Sequence, residues 1–235
     1  NALAAKRGGA QVLAMVNHED SPLADMADVV IPLQMGVEQS VAATKTYLAS
    51  LSALLQLAAY WKDDGALIDA LEQLPQAMEA AWQADWSELR QGLREERSLL
   101  VIGRGIGLAT ALESALKLKE TCGLHAEAFS AAEVKHGPMA LVANSIPLLL
   151  FAQADQTGAG SLALAREMQA RGARIWATGV EPGDGLPVLP SVATHPLLAP
   201  FVQNLSFYKV ANALSFDRGY DPDSPPNLNK VTRTM

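Results

Sequence analysis

The segment from Ala111 to Leu141 concentrates side chains that can donate or accept protons. In chain order these are Glu113, Lys117, Glu120, His125, Glu127, Glu133, Lys135 and His136. A positioned carboxylate, amine or imidazole can move a proton to or from a reacting carbon atom. The same groups can also cover a solvated helix with ordinary ion pairs. The residue types therefore leave a proton-transfer site and a charged surface as alternatives.

The part of this segment from about residue 108 to 121 is predicted to form an amphipathic helix. Its apolar face, which we expect to pack on a sheet, carries Leu108, Leu112, Ala115 and Leu116. Glu113, Lys117 and Glu120 cluster along an adjacent edge of the helix. A Glu–Lys pair four residues apart is common on helix surfaces and contributes only about 0.2–0.5 kcal/mol. The helical spacing alone therefore favours a surface ion pair.

The residues that follow favour a proton-transfer site instead. In EVKHGP, Lys135 and His136 stand beside a Gly-Pro pair that interrupts regular structure. A lone histidine is more often structural than catalytic. This one shares a short segment with the acidic and basic helix edge, in a chain that has only four histidines. We therefore interpret the whole segment as a candidate site.

Short apolar segments alternate with helical ones, which predicts an α/β fold with a parallel sheet. The strand candidates are QVLAMVN, DVVIPL, SLLVIG, IPLLLFA and RIWATG, and SVAATKTYLASLSALLQLAAYW is predicted to be a long helix. A helical stretch broken at Pro75 connects the first two strands to the others. Two strands are too few for a doubly wound sheet, which usually has about four to six. The tail from Asp217 onward is rich in turn formers and is predicted to be non-helical.

Composition excludes several classes of function. The chain has 235 residues, 49% of them hydrophobic and 18% charged, with a net charge of −7. This is enough apolar material for one large domain or two small ones. Because no run of Lys and Arg follows a phosphate backbone, we expect no nucleic-acid partner. Because no apolar run approaches the roughly 20 residues that span a bilayer, we expect no membrane segment.

Cofactor and redox chemistry are also constrained by the sequence. The single cysteine, Cys122, excludes an internal disulfide and a cysteine-rich zinc site, and indicates a reduced, cytoplasmic protein. The loop GRGIG suggests a dinucleotide fingerprint, but Leu108 occupies the position of its third glycine. A glycine-rich turn between a strand and a helix is the better interpretation. We therefore expect no nucleotide cofactor and no metal.

Four motifs together resemble the sugar isomerase (SIS) domain family: EQSVAATK, ALESALKLKE, HAEAFSAAEVKHGP and NLNK. Their order is similar to that in the isomerase half of glucosamine-6-phosphate synthase and in stand-alone SIS enzymes, including SIS-type glucosamine-6-phosphate deaminases. The resemblance covers nearly the whole chain. It implies a double-SIS architecture of flavodoxin-like three-layer αβα sandwiches with parallel sheets, assembled as a homodimer.

The resemblance also implies a domain organisation. Residues 1–75 would be the end of a first, incomplete SIS domain with its connecting helix. Residues 76–220 would form a second SIS domain, and residues 221–235 a tail that returns to the active site. The Ser/Thr-rich loop that grips the sugar phosphate in the family is absent, as is the glutaminase domain of the synthase. We expect a chain that lacks about a hundred upstream residues, if the first domain has ordinary size.

Catalytic roles follow from the same resemblance. Glu120 would be the acid/base that shuttles a proton between sugar carbons 1 and 2, with Lys117 beside it. His136 would assist ring opening, from the neighbouring subunit of the dimer. Lys230 would reach back into the site, where it can form an imine with an open-chain ketose.

Two further residues are assigned to substrate binding by the resemblance. Glu38 and the backbone of Val41 would line the sugar pocket. Their motif, EQSVAATK, ends about sixty residues before the catalytic helix begins. The ligand would be a small sugar phosphate.

The resemblance implies a phosphosugar aldose–ketose isomerase acting on amino-sugar phosphates. If the protein has no glutaminase domain, it has no built-in ammonia source, and we expect the leading reaction to be isomerising deamination of glucosamine 6-phosphate to fructose 6-phosphate and ammonia. The alternatives are a fructosamine-phosphate deglycase, the isomerase fragment of a synthase, or a non-catalytic sugar-phosphate-sensing module. The candidate proton-transfer groups favour catalysis, because a sensor needs binding groups but no proton shuttle.

Overall fold

A computed structural model describes residues 1–144, 146–182 and 185–230 and contains two compact units. Asn1–Leu71 form the first unit together with the tail from Asn229, and Glu72–Leu228 form the second. The predicted domain limits, 1–75, 76–220 and 221–235, stay predictions. Residues 231–235 of the predicted tail lie outside the described part of the chain.

The first unit contains a two-stranded parallel sheet and flanking helices. Its elements are α1 (Ala2–Arg7), β1 (Leu13–Val16), α2 (Pro22–Met26), β2 (Val29–Pro32), α3 (Lys45–Lys62) and α4 (Gly65–Glu72). In the sheet, Leu13 lies opposite Val29 and Val16 lies opposite Pro32. Both strands therefore lie where the apolar segments predict them. The long helix was predicted from Ser40 but begins at Lys45, after a loop that supplies its cap.

The second unit is built around a four-stranded parallel sheet. Its elements are α5 (Leu74–Gln83), α6 (Ser87–Leu93), β3 (Ser98–Gly103), α7 (Gly107–Cys122), β4 (His125–Ser130), β5 (Leu148–Phe151), α8 (Gly158–Ala170), β6 (Ile175–Thr178) and α9 (Ala199–Asp217). Single-turn 3₁₀ segments cover Val134–His136 and Pro196–Leu198, and a longer one covers Pro138–Asn144. The spatial order of the strands is β4-β3-β5-β6. Ser98 pairs with His125, and Leu148 pairs with both Leu100 and Ile175.

Helices cover both faces of this sheet. One face of the sheet shares an apolar core with α8. The strands contribute Leu100, Leu148 and Ile175 to this core, and α8 contributes Leu164 and Met168. On the other face Phe151 of β5 meets Phe207 of α9 edge to face, with ring centroids 6.2 Å apart. Helix α7 packs against α9 and against β3 and β4. The predicted α/β class, a parallel sheet between helical layers, is confirmed.

Strand β4 was not predicted from the sequence. Its apolar positions include Ala126 and Ala128, which have low strand propensity, and they alternate with the exposed His125 and Glu127. The strand lies at the sheet edge, where one side has no neighbouring strand. A pattern of small and polar residues is therefore sufficient there, although it gives no strong strand signal.

The predicted orientation of α7 is wrong. Leu112 and Leu116, which were expected to pack on the sheet, are 54% and 43% exposed. Ala115 is buried as predicted, but the rest of the buried side includes Ala111 and Leu118, and it also carries Glu113 and Lys117. Small side chains let the helix approach its neighbours closely, and the buried charges compensate each other. The assumption that the leucine-rich face must be the inner one fails here.

The connecting helices and the tail agree with their predictions in outline. The predicted break at Pro75 is observed at Gln73, and Pro75 occupies the first turn of α5, where a missing N–H costs little. A second interruption separates α5 from α6 at residues 84–86. After α9, the described part of the tail contains no helix. No helix in the described ranges is long and apolar enough to cross a membrane.

Helix α7 ends at Gly123, where both the backbone conformation and the nearby Tyr220 side chain favour a residue without a β-carbon. Gly123 has φ of +59°, in the left-handed region. The N–H of Leu124 then donates to the carbonyl of Leu118 at 3.1 Å. A β-carbon built on Gly123 would lie 2.3 Å from the Tyr220 hydroxyl oxygen. The end of α7 therefore packs directly on the start of the tail.

Replacing Gly123 with Ala is expected to destabilise the protein. The left-handed backbone costs about 1–2 kcal/mol for a residue with a β-carbon, and the contact with Tyr220 adds to it. The free energy of unfolding, measured by urea denaturation, should fall by more than in the matched control Gly172→Ala. Gly172 also has positive φ, +93°, but nothing lies within 4 Å of its β-position. Equal losses in the two variants would contradict the close packing at Gly123.

Candidate active site

The second half of α7 brings a carboxylate and an amine together. Because residues three apart lie on neighbouring turns of a helix, Lys117 Nζ reaches Glu120 Oε2 at 2.5 Å. The Lys117 side chain is only 4% exposed, whereas that of Glu120 is 24% exposed. The amine is therefore held inside the protein while the carboxylate keeps access to a ligand. The predicted pairing of Lys117 with Glu120 is observed in the structure.

Glu113 and Tyr208 extend this pair into the interior. Glu113 Oε1 lies 3.7 Å from Lys117 Nζ and accepts a hydrogen bond of 2.7 Å from the Tyr208 hydroxyl of α9. Burial raises the pKa of Glu113 above its ordinary value, although Lys117 and the Tyr208 hydrogen bond oppose that rise. The four groups form a continuous series from the core to the exposed carboxylate. We refer to Tyr208, Glu113, Lys117 and Glu120 as the α7 charge series.

Glu120 lines a cavity of about 480 Å³ within the second unit. The other lining residues come from the end of α7 and from the tail: Leu116, Lys119, Gly123, Tyr220, Pro226, Asn227 and Leu228. The cavity is open on one side and is large enough for a small ligand. Its one lining carboxylate is the partner of a buried ammonium. This arrangement can take up a proton from a bound molecule and return it.

His136 lies in the 3₁₀ segment that follows β4. Its backbone N–H donates to the carbonyl of Glu133 at 2.9 Å, and the buried Val134 anchors the segment. In the described part of the chain, no hydrogen bond or ion pair joins His136 to Lys117 or Glu120. The histidine side chain is exposed. Within the described residues the structure thus pairs Lys117 with Glu120 and shows no such pairing for His136.

Lys135, the neighbour of His136, has a different environment. Its Nζ forms an ion pair of 2.5 Å with Glu167 of α8. Glu167 also accepts from Arg171 at 2.8 Å. These side chains are substantially exposed, so the pairs contribute little to stability. Lys135 is a surface residue, which agrees with the alternative in which the charged groups form a solvated surface.

Glu38 in the first unit caps α3. Its Oε1 accepts from the backbone N–H groups of Thr44 and Lys45 at 2.8 and 2.9 Å, and its Oε2 accepts from that of Thr46 at 3.0 Å. The Thr46 hydroxyl also donates to Oε2. Burial alone would raise the pKa of Glu38, but these hydrogen bonds outweigh it and lower the pKa below the ordinary value. The carboxylate is fixed in the loop that precedes α3.

Lys230 reaches the same loop. Its Nζ donates to the carbonyl of Ser40 at 2.7 Å, between Glu38 and Val41 in the chain. The first unit therefore brings together all three of its predicted site residues. Lys230 comes from the far end of the sequence, 190 positions after Ser40.

Tyr208 and Glu113 were not assigned roles from the sequence. Glu113 had a detectable signal, because it precedes Lys117 by four residues on the same helix edge. Tyr208 had none, because it follows Glu113 by 95 residues and lies within an apolar helix. Across the described ranges, no group of three or more His, Cys, Asp or Glu residues is arranged to hold a metal ion.

The fold and the charge series define an α/β protein with a carboxylate–amine pair beside an open cavity. A family model described as SIS domain matches residues 1–60 and 92–179. This chain belongs to the SIS domain family. The family resemblance of the four sequence motifs is confirmed.

This chain is similar in sequence to isomerizing glutamine–fructose-6-phosphate aminotransferases. The isomerizing glutamine–fructose-6-phosphate aminotransferase of Thermococcus kodakarensis is 37% identical over 242 residues, which cover 96% of this chain and 40% of that protein. The corresponding protein of Methanothermobacter thermautotrophicus is 36% identical over 242 residues, covering 98% and 40%. The chain thus spans about 40% of the length of these curated relatives.

Solved structures have the same fold. A Silicibacter pomeroyi DSS-3 protein described as a phosphosugar isomerase matches with a TM-score of 0.90 and 41% identity, over 94% of this chain and 68% of that chain. The C-terminal domain of glucosamine-fructose-6-phosphate aminotransferase from Francisella tularensis matches with a TM-score of 0.79 and 25% identity, over 95% and 68%. The chain is therefore related to proteins of the phosphosugar isomerase type.

Replacing Glu38 with Gln is expected to destabilise the protein by about 1–3 kcal/mol at neutral pH, because several hydrogen bonds lose a charged acceptor. The folded-state pKa of Glu38 is lowered, so its contribution is complete above the unfolded-state pKa of about 4.3. It is lost as the pH falls through the folded-state pKa. Urea denaturation of both proteins across this range should show the difference shrinking at acidic pH.

The control for this prediction is Glu19→Gln, which neutralises an exposed carboxylate of the same unit. We expect that change to leave the unfolding free energy within about 0.5 kcal/mol. A Glu38 variant as stable as this control would contradict the capping role.

Proposed function

We propose that the protein is a phosphosugar aldose–ketose isomerase that acts on amino-sugar phosphates. The observation that carries this proposal is the Glu120 carboxylate, which lines a cavity of about 480 Å³ and pairs with the buried amine of Lys117. Membership of the SIS domain family and the likeness to a phosphosugar isomerase at 41% identity support it.

The chemistry requires a base beside an acidified carbon–hydrogen bond. Once the sugar ring is open, Glu120 takes a proton from C2 of the amino sugar and returns it to C1. Lys117 offsets the negative charge that develops on the intermediate. Its short contact with Glu120 also holds the carboxylate in place beside the cavity.

The leading reaction is the isomerising deamination of glucosamine 6-phosphate. Proton transfer from C2 to C1 converts the open-chain aldose into a ketose imine. Water then adds to the imine carbon, and ammonia leaves to give fructose 6-phosphate. In an alternative route the Lys230 amine adds to the imine carbon and ammonia leaves, and water then hydrolyses the resulting lysine imine to give fructose 6-phosphate and free Lys230.

Binding and ring-opening roles complete the proposal. Glu38 and the backbone of Val41 line the sugar pocket, and His136 assists ring opening from the partner subunit of a homodimer. The fixed conformation of the Glu38 loop, with Lys230 bonded to Ser40, supports a preorganised binding role for this segment.

Three alternatives are distinguished by their reactions. A fructosamine-phosphate deglycase would release ammonia or an amino acid from a ketose-derived amine but not from glucosamine 6-phosphate. The isomerase half of a synthase, which the amino-sugar relatives favour, would interconvert hexose phosphates and use external ammonia. A sensing module would bind sugar phosphate without turnover.

Replacing Glu120 with Gln is expected to reduce turnover of glucosamine 6-phosphate by about 10²- to 10⁴-fold, because the general base is lost. Substrate binding, measured by calorimetry, should remain. Ammonia and fructose 6-phosphate are quantified in parallel. The control is Glu127→Gln on β4, an exposed carboxylate whose replacement should leave turnover unchanged.

Undiminished turnover in the Glu120 variant would remove that residue from its proposed role. Sugar-phosphate binding by the native protein without product formation would support the sensing module. Isomerisation of hexose phosphates without ammonia release would support the synthase-type reaction.

Sharing of the active site between subunits predicts complementation in mixed dimers. Neither Glu120→Gln nor His136→Ala should be active alone. A dimer containing one chain of each kind has one site with both native residues, so equal mixing should restore about a quarter of native activity. Activity is measured after the two proteins are unfolded together and refolded. No recovery in dimers of confirmed mixed composition would place the two residues in the same subunit's site or exclude His136.

A further inference from the structure

Lys117 is an ammonium buried in the protein core. Its side chain is 4% exposed, and it lies between two carboxylates of its own helix, at 3.7 Å from Glu113 and 2.5 Å from Glu120. Removing one partner of a buried charge is strongly destabilising to the charge that remains. The two carboxylates therefore compensate the buried Lys117 amine from either side.

The proposed reaction changes the charge of one of these carboxylates. When Glu120 accepts a proton from the substrate it becomes neutral, and Lys117 loses its nearer counter-charge. Glu113 is then the carboxylate that faces Lys117 from the interior. Its ionisation matters most at the step in which Glu120 carries the proton.

Tyr208, on α9, forms a hydrogen bond with Glu113. The phenol oxygen donates a hydrogen bond of 2.7 Å to Glu113 Oε1, the same oxygen that faces Lys117. Tyr208 is 9% exposed, and α9 is packed along α7. A hydrogen bond to an ionised acceptor is stronger than one to a neutral acceptor, so the phenol favours the ionised form of Glu113.

The other elements packed against α7 add few charges near Glu113. Strands β3 and β5, with the sequences SLLVIG and LLLF, carry no titratable side chain. Strand β4 carries His125 and Glu127, which are both exposed. On α7 itself the groups that act on Glu113 are Lys117 and Glu120.

We infer that Tyr208 is a positioning residue for catalysis. Its hydroxyl favours the ionised form of Glu113 and aims that carboxylate at Lys117, so that a carboxylate still faces the Lys117 amine while Glu120 carries the proton. This inference rests on the proposed roles of Glu120 and Lys117. A side chain of α9 therefore influences the ionisation of Glu113 on α7.

The test is Tyr208→Phe, which removes one oxygen atom and keeps the buried ring. Without the hydrogen bond Glu113 binds a proton more readily, so activity should be lost at a higher pH than in the native protein as the solution is acidified. At pH values on that acidic limb, kcat should fall by about tenfold, the effect of losing one hydrogen bond to a charged group. At alkaline pH the variant should regain native kcat, with KM unchanged throughout.

Two further variants separate positioning from general damage. Glu113→Gln cannot ionise, so its loss of kcat should persist at every pH. Tyr60→Phe removes the hydroxyl of an exposed tyrosine on α3 and should leave the pH profile unchanged. A Tyr208→Phe profile that superimposes on the native one, or that is lowered evenly at all pH values, would overturn the inference.

A second readout is independent of turnover. Carbon NMR of glutamate-labelled protein, with the Glu113 resonance assigned through Glu113→Gln, should show Glu113 titrating at higher pH in Tyr208→Phe. Absence of sugar-phosphate turnover in the native protein would refute the proposed function while this titration still tests the Tyr208–Glu113 coupling. An unchanged Glu113 titration would overturn the inference even in an active enzyme.

Discussion

Compensation of the Lys117 charge is the constraint on which the second unit depends. An ammonium that is almost fully buried requires nearby anions, and α7 supplies them four residues before and three residues after it. Both anions and the amine lie on the side of α7 that turns inward. Alanines on that side let the helix lie close to its neighbours, whereas Leu112 and Leu116 remain partly in water. The apolar area of the side chains alone therefore does not predict the orientation of this helix.

Most of the fold could be predicted because its strands are strongly apolar. The residues of β3 and β5 are buried almost throughout, and such runs between helical segments indicate a covered parallel sheet. Strand β4 could not be predicted, since an edge strand of alanines and polar residues lacks that signal. The rotation of α7 was also predicted wrongly. Helical periodicity locates an amphipathic face, but it cannot weigh a buried ion pair against exposed leucines.

Some residues of the candidate site could be predicted from local spacing, whereas others depend on contacts between distant parts of the chain. Lys117 and Glu120 could be found because their spacing on one helix guarantees proximity. Glu38, Val41 and Lys230 were suggested only by family resemblance, and the contact of Lys230 with Ser40 spans nearly the whole chain. The contribution of Tyr208 depends on how two helices pack. No pattern within either helix encodes that pairing.

The packing of Tyr220 on Gly123 has a practical consequence for protein engineering. One wall of the Glu120 cavity is built from residues that follow the last helix, and it is attached to α7 at a position that only glycine fits well. A shortened version ending at Asp217 would keep the entire sheet yet expose the carboxylate to bulk solvent. There its charge would be screened by water and salt, so its attraction to the Lys117 amine would weaken.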